Sequence, residues 1–176
     1  MATIYVIGTI HDFQENDGSR NKNEIDAFIY YLEQVCQEHG IRAIAEEMNL
    51  EALGKLRQRE STCKYVADKL NLIHRYCDPN SGLRAKHGII EDTIIKMDAF
   101  MNDLSEEEVN NKIRAEHEKR ELIWINEIQK IGKFPILFIC GAKHSLPFSQ
   151  LLRNKGFQSI VINNRWTPSI EHLSDS

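Results

Sequence analysis

The chain has 176 residues, of which 41% are hydrophobic and 27% are charged, and its formal net charge is −4. This composition is typical of one globular domain, so we interpret 1–166 as a single domain and 167–176 as a polar C-terminal tail. The slight acidic excess argues against nucleic-acid binding, since such surfaces carry clustered basic residues. The apolar runs are too short to cross a bilayer, and no secretory signal is recognisable, which argues against membrane association.

Strand-like and helical patterns alternate along the chain. In chain order they predict a strand at 4–7, a helix at 24–39, a strand at 41–45, a helix at 50–70, a strand at 72–77, helices at 89–101 and 105–131, a strand at 135–140, a helix at 145–154 and a strand at 158–162. A polar loop is predicted at 12–23 and a turn at 78–82. The alternation predicts an α/β fold, a single domain whose mainly parallel central sheet is flanked by helices. The long helix at 105–131 is a candidate surface for covering the sheet edge or forming a homodimer.

The cysteines are widely spaced and contain no CxxC pair, so the sequence indicates neither a disulfide framework nor a zinc knuckle. A reducing, cytoplasmic location is therefore expected. Cys140 ends a predicted strand and is a candidate thiol nucleophile, although the apolar run before it favours a core position.

A glycine followed three residues later by a histidine occurs at the end of two predicted strands. The copies are Gly8-Thr9-Ile10-His11 and Gly141-Ala142-Lys143-His144. Glycine at a strand end permits a sharp turn or the close approach of another group. In a parallel sheet both histidines lie at the carboxyl edge, where open α/β sheets bind ligands. Because imidazole is a common metal ligand and general base, the duplication predicts a shared site containing His11 and His144.

Glu46 and Glu47 follow the apolar end of the second predicted strand. Adjacent strand residues face opposite sides, so at most one of them points into the site, and the sequence does not fix which. The alternative is that both are solvated charges at a strand end. Beside His11 and His144, one glutamate completes a set that can bind Zn²⁺ or Mn²⁺ and leave a position open for water.

Arg120 lies within the charged run from Glu116 to Glu121 of the long predicted helix. One interpretation is a solvated helix face with i,i+4 pairs, Glu116 with Arg120 and His117 with Glu121. The other is that Arg120 reaches over the sheet edge and clamps an anion or stabilises an oxyanion. Two residues near the predicted turn are further candidates, Asp78 for orienting a ligand histidine and Arg84 for binding an anion.

Taken together, these motifs resemble the TraB/TIKI superfamily, with its erythromycin-esterase-like and ChaN-like relatives. The resemblance spans 4–162 and rests on Gly8-x-x-His11, Glu46-Glu47-Met48-Asn49, Arg120-Glu121-x-x-Trp124 and the segment from Leu137 to His144. Where many relatives carry a further glycine, this chain continues Ser145-Leu146-Pro147. It is also short for the family and lacks a membrane-spanning tail, which leaves the substrate open.

The resemblance implies an α/β domain with its site at one sheet edge; some members are metal-dependent proteases, others hydrolyse an ester, and one group binds haem. It implies that His11, Glu47 and His144 are metal ligands or acid–base residues, with Glu46 as the alternative to Glu47, and that Arg120 corresponds to the family's helical arginine. We therefore expect a metal-assisted hydrolase of an amide, peptide or ester bond in a small molecule or peptide, using Zn²⁺, Mn²⁺ or Co²⁺. The alternative is a non-catalytic protein that binds a small ligand or signals on the same scaffold.

Overall fold

The computed structural model of the protein describes residues 2–15 and 18–168, so the predicted tail beyond residue 168 lies outside the described residues. Five strands form one sheet: β1 (Thr3–Thr9), β2 (Ala43–Glu46), β3 (Ile73–Tyr76), β4 (Ile136–Gly141) and β5 (Gln158–Asn163). Their order is β3-β2-β4-β1-β5, and every neighbouring pair is parallel. The predicted α/β fold with a parallel central sheet is confirmed.

Eight helices lie among the described residues. They are α1 (His11–Glu15), α2 (Lys22–Glu38), α3 (Leu50–Lys55), α4 (Thr62–Lys69), α5 (Ser81–Lys86), α6 (Asp92–Met101), α7 (Glu106–Ile131) and α8 (Ala142–Asn154). In that part of the chain, no helix is both long and apolar enough to span a membrane.

Each face of the sheet is covered by its own hydrophobic cluster. On one face, α1, α2 and α4 pack their apolar side chains, among them Phe13, Phe28 and Val66, against strand residues such as Ile44. On the other face, α7 and α8 bury residues such as Trp124 against the strands. Because side chains alternate along a strand, consecutive residues of β2 enter different clusters.

Several predicted boundaries differ from the structure. The turn expected at 78–82 overlaps the start of α5, the helix expected at 89–101 begins three residues later, as α6, and the helix expected at 145–154 begins three residues earlier, as α8. The single helix expected at 50–70 is two helices, because Arg57 takes a positive φ of 58° and Ser61 caps a new helix start at α4. The first part of the loop expected at 12–23 belongs to the short helix α1, which begins at His11. The long helix matches its prediction closely, with a capping box between Ser105 and Glu108 at its start.

The register of the sheet sets where the site forms. Thr9 at the end of β1 pairs with Gly141 at the end of β4, and Glu46 at the end of β2 pairs with Ile139. The N–H of Glu47 donates to the Ile139 carbonyl at 2.8 Å, which extends the ladder one residue beyond β2. The carboxyl ends of three adjacent strands therefore meet at one edge, and the residues that follow them lie close together.

Candidate functional site at the carboxyl edge of the sheet

A cavity of about 710 Å³ opens at this edge of the sheet. Its lining includes four of the five predicted site residues, His11, Glu47, Arg120 and His144. The fifth, Glu46, is fully buried beneath the opposite face of the sheet. Of the two alternatives left open by the sequence, Glu47 is the glutamate that faces the cavity.

Glu47 is held by a backbone group and a cation. Its Oε2 accepts a hydrogen bond from the N–H of Gly141 at 2.8 Å, and its Oε1 accepts one from Nη2 of Arg120 at 2.8 Å. Only 3% of its side chain is exposed. A buried carboxylate is tolerated when such charge-assisted bonds replace its hydration, so Glu47 is fixed in place beside the cavity.

Two imidazoles approach the same oxygen of Glu47. Nε2 of His144 lies 3.6 Å from Oε1 of Glu47, and Nε2 of His11 lies 3.9 Å from it. The side chain of His144 is 6% exposed, whereas that of His11 is 46% exposed. Residues separated by most of the chain therefore form one cluster, with His11 at its open side and His144 at its buried side.

Both glycines of the repeated motif serve close approach rather than an unusual backbone angle. A Cβ added at Gly141 would lie 2.8 Å from Nε2 of His11, so the imidazole would have to move. A Cβ added at Gly8 would lie 2.2 Å from the carbonyl oxygen of Asn164 and 2.9 Å from Cβ of Ser145. Gly141 leaves the space that His11 occupies, and Gly8 lets the chain after β5 pass over β1.

His144 is oriented by a carboxylate on α7. Its Nδ1 lies 2.9 Å from Oε1 of Glu121. Arg114 donates to both oxygens of Glu121 at 2.7 Å, a forked ion pair. Burial raises the pKa of Glu121, but the hydrogen bonds from Arg114 and His144 outweigh it and hold that pKa below its usual value. Since an ionised carboxylate only accepts, Nδ1 carries the hydrogen of this bond, and Nε2 is the nitrogen that faces Glu47 and the cavity.

Arg120 reaches over the sheet edge instead of lying on a solvated helix face. Besides Glu47 it binds Asp78, whose Oδ1 accepts from Nε at 3.1 Å and from Nη2 at 2.7 Å. Asp78 also accepts from Nε1 of Trp124 at 3.1 Å, and Arg84 donates to its other oxygen. Burial raises the pKa of Asp78, but Arg120 and Arg84 lower it by more than burial raises it. The pKa of Asp78 therefore lies below its usual value.

The partners of Asp78 differ from the predicted one. Asp78 was expected to orient a histidine, but it accepts hydrogen bonds from Arg120, Arg84, Trp124 and Asn49, so it orients the arginine instead. Arg84 pairs with Asp78 and Glu91 and also lines the cavity, so its contact with an anionic ligand stays a prediction. The histidine is oriented by Glu121, which the sequence had placed in a surface pair.

Other partners replace the i,i+4 pairs expected on α7. Glu116 pairs with Lys119 on the same helix instead of with Arg120. His117 bonds Asp92 at 2.9 Å, not Glu121, and its ring centroid lies 4.3 Å from that of His144. Burial and the neighbouring His144 lower the pKa of His117. Arg114, His117, Glu121 and Trp124 are spaced by three, four and three residues, which places them on one helix face. Glu121 lies on the same helix face as the apolar Trp124, which is typical of a buried face. That spacing was the signal that could have identified Glu121 as a buried residue of the site.

Cys140 lies in the core. It is fully buried and belongs to the cluster beneath α7 and α8. Burial, reinforced by the charge of Glu47, raises the pKa of its thiol well above the usual value. A thiol that stays protonated is a poor nucleophile, so the candidate role of Cys140 has no support in its surroundings.

The nitrogen and oxygen donors beside the cavity suit a divalent ion. Nε2 of His11, Nε2 of His144 and Oε1 of Glu47 are the atoms that would hold it, and Zn²⁺ accepts this combination. Neighbouring ligands on a tetrahedral ion with bonds near 2.1 Å are about 3.4 Å apart, slightly closer than the 3.6 and 3.9 Å measured from Glu47. Across residues 2–15 and 18–168, no group of three or more His, Cys, Asp or Glu side chains is already arranged to hold a metal. The donors fit by type, and the two distances to Glu47 lie within about half an ångström of that spacing.

Comparisons of this chain with protein-family models, with curated proteins and with solved structures give no match. The resemblance to the TraB/TIKI superfamily therefore stays a prediction from the motifs. What the site does has to be argued from its own geometry.

Proposed function

We propose that the chain is a hydrolase that cleaves an amide, peptide or ester bond in the cavity at the carboxyl edge of its sheet. The observation that carries the proposal is the arrangement of His11, Glu47 and His144 around one cavity, with Glu121 fixing the ring of His144. A carboxylate that orients an imidazole whose free nitrogen faces a cavity is the arrangement used to activate water or to ligate a metal.

His144 is the proposed base. Glu121 holds the hydrogen on Nδ1, so Nε2 can accept a proton from a water molecule as that water attacks a carbonyl carbon. Glu121 then stabilises the imidazolium, and Nε2 returns the proton to the leaving nitrogen or oxygen. His11, on the open side of the cluster, is placed to bind the same water or the substrate.

A divalent ion is the alternative to base catalysis by His144, with His11, Glu47 and His144 as its ligands. Nε2 of His144 would then hold the ion instead of accepting a proton. When bound, such an ion would lower the pKa of water and polarise a carbonyl. The hydrogen bond that Nδ1 of His144 donates to Glu121 is the kind of outer contact that fixes a metal-binding imidazole. Zn²⁺, Mn²⁺ and Co²⁺ are the ions to be tried.

Arg120 is the proposed stabiliser of developing negative charge. It lines the cavity, and its hydrogen bonds to Glu47 and Asp78 use Nε and Nη2. Within the described residues, Nη1 has no hydrogen-bond partner, so it remains available to a substrate oxygen. Its fixed position means that little reorganisation is needed when charge develops.

Hydrolysis of p-nitrophenyl acetate and of a fluorogenic peptide library tests the proposal. Each is measured after treatment with a chelator and again with Zn²⁺, Mn²⁺ or Co²⁺ added, for the wild type, His11→Ala and His144→Ala. We expect at least about a hundredfold loss of turnover in His144→Ala, the effect typical of a lost general base or ligand. His87→Ala is the matched control, because His87 is exposed and lies outside the cavity lining.

The proposal fails if both variants retain the circular dichroism of the wild type while neither changes metal binding or the hydrolysis of any probe. That outcome would favour the alternative of a non-catalytic protein that binds a small ligand in the same cavity. If activity survives chelation but disappears in His144→Ala, the proposed hydrolase is supported and the metal is excluded from its mechanism.

A further inference from the structure

A second buried network lies beneath the opposite face of the sheet, centred on Glu46. Its carboxylate is fully buried and contacts Nε2 of His74 at 2.8 Å, Nε2 of Gln14 at 3.2 Å and the hydroxyl of Ser61. These partners come from β3, from α1 and from the residue that caps α4. Glu46 thus joins three parts of the fold at the residue directly before Glu47.

The link to α1 matters because α1 carries His11. Gln14 and His11 belong to the same short helix, and Gln14 is fully buried. The side chain of His11 is 46% exposed, and its distance to Glu47 is 3.9 Å, longer than a hydrogen bond. No hydrogen bond to Glu47 fixes the ring, so the position of His11 depends on how α1 is docked.

Two neighbouring side chains dock α1. Phe13 packs on Phe28 and Trp166, with ring centroids 5.6 and 5.0 Å away, and provides apolar adhesion. Gln14 sets the orientation of α1, because a hydrogen bond constrains distance and angle and apolar contact does not. Within the described part of the chain, the amide oxygen of Gln14 is buried without a partner, so the amide is held through its nitrogen by Glu46.

We propose that Glu46 is a positioning residue for the site on the other face of the sheet. Through Gln14 it fixes α1 against β2, and so sets the distance between His11 and Glu47. The two consecutive glutamates then share one task, since Glu47 contacts the cavity and Glu46 aligns the helix that completes it. Describing His11 as a site residue rests on the proposed function; the docking of α1 by Glu46 does not.

Gln14→Leu tests the link with Ser61→Ala as its matched control. Both remove one hydrogen bond to Glu46, but Ser61 is the residue before α4 and caps that helix by accepting from the N–H of Lys64 at 3.0 Å. The readouts are amide hydrogen exchange over 11–15 and the imidazole NMR signal of His11, assigned with His11→Ala. We expect about tenfold or more faster exchange in Gln14→Leu, together with a displaced His11 signal. In Ser61→Ala the exchange rate should stay within about twofold of the wild type and the His11 signal should not move, although the melting temperature falls.

Unchanged exchange and an unchanged His11 signal in Gln14→Leu would overturn the proposal, as would an equal effect in Ser61→Ala. Should Gln14→Leu not fold, Gln14→Glu is compared with the exchanged pair Gln14→Glu/Glu46→Gln. The single change places two carboxylates together, and the pair restores the hydrogen bond with donor and acceptor reversed. Recovery of the wild-type His11 signal in the pair supports the proposal, and equal disturbance in both overturns it.

These measurements need no substrate. A protein that hydrolyses none of the probes would defeat the proposed function and leave the docking of α1 by Glu46 to be judged by exchange and NMR alone.

Discussion

Glu46 and Glu47 are neighbours in the chain and lie in contrasting surroundings. Glu47 bonds a guanidinium and a backbone N–H, and it faces the cavity with two imidazoles near it. Glu46 bonds an amide, a hydroxyl and His74, in a place that is fully buried. Each face of the sheet is covered by different helices, so each carboxylate meets the polar groups of the helices on its own side.

The contrast teaches that burial alone does not identify a reactive carboxylate. Both glutamates are at least 95% buried, and a buried charge of this kind needs partners in either case. What separates them is access, because only Glu47 borders a space that a substrate can enter. Substituting residues on one face of the sheet at a time therefore shows whether Glu47 and its partners act on substrate while Glu46 and its partners support the fold.

The largest difference is expected between Glu47→Gln and Glu46→Gln. Loss of the Glu47 charge should reduce turnover of p-nitrophenyl acetate by at least about a hundredfold. Glu46→Gln should cost less than about tenfold in turnover, because the amide keeps an oxygen that can accept from Gln14. Equal losses in the two variants would contradict the assignment of separate tasks to the two residues.

The next effect is on stability. Arg120→Met leaves Glu47 and Asp78, with side chains 3% and 4% exposed, without the cation that pairs with both. We expect the free energy of unfolding in urea to fall by about 3 to 5 kcal/mol, the usual consequence of breaking a buried pair.

Arg75→Met is the matched control for Arg120→Met. Arg75 pairs with Glu127, but its side chain is 42% exposed, so the change should cost less than about 1 kcal/mol. A loss in Arg75→Met as large as that in Arg120→Met would show that the network at the cavity is no stronger than a surface pair.

How far the sequence predicts the site depends on the element. The strand ends were recognisable from apolar runs closed by glycine, so the convergence of His11 and His144 could be argued before the structure. The orientation of Glu46 and Glu47 could not, because all four residues of β2 are buried and no alternation of polar and apolar residues marks a face. The pairing of Glu121 with His144 was hidden because it joins α7 to α8, and helix spacing alone predicts only pairs within one helix.

The ion pair between Arg84 and Asp78 should make the stability of the protein depend on pH in acid. In Arg84→Met the free energy of unfolding at pH 7 should fall by about 2 kcal/mol, because Asp78 loses one charged donor. The folded pKa of Asp78 is lowered, so its contribution is present above the unfolded value of about 3.9 and is lost as pH falls through the folded value. The difference between wild type and Arg84→Met should therefore shrink below about pH 4 in urea titrations. A difference that is the same at pH 7 and pH 3 would contradict the linkage.

The smallest effect expected is steric. Gly141→Ala places a methyl carbon 2.8 Å from Nε2 of His11, closer than these atoms can pack, and should displace the imidazole and reduce turnover by about tenfold. The backbone itself accepts alanine, since φ at Gly141 is −59°. Gly54→Ala is the control, because no atom lies within 4 Å of its added carbon and the site is helical. Turnover reduced to the same degree in both variants would remove the steric explanation.

Calorimetric titration with Zn²⁺ compares the two faces of the sheet most directly. The wild type is predicted to bind one equivalent, His144→Ala to bind at least about tenfold more weakly, and His74→Ala to bind as the wild type does, because His74 serves Glu46 on the closed face. Zn²⁺ binding that is unchanged in His144→Ala, or abolished in His74→Ala, would contradict a metal site formed by His11, Glu47 and His144.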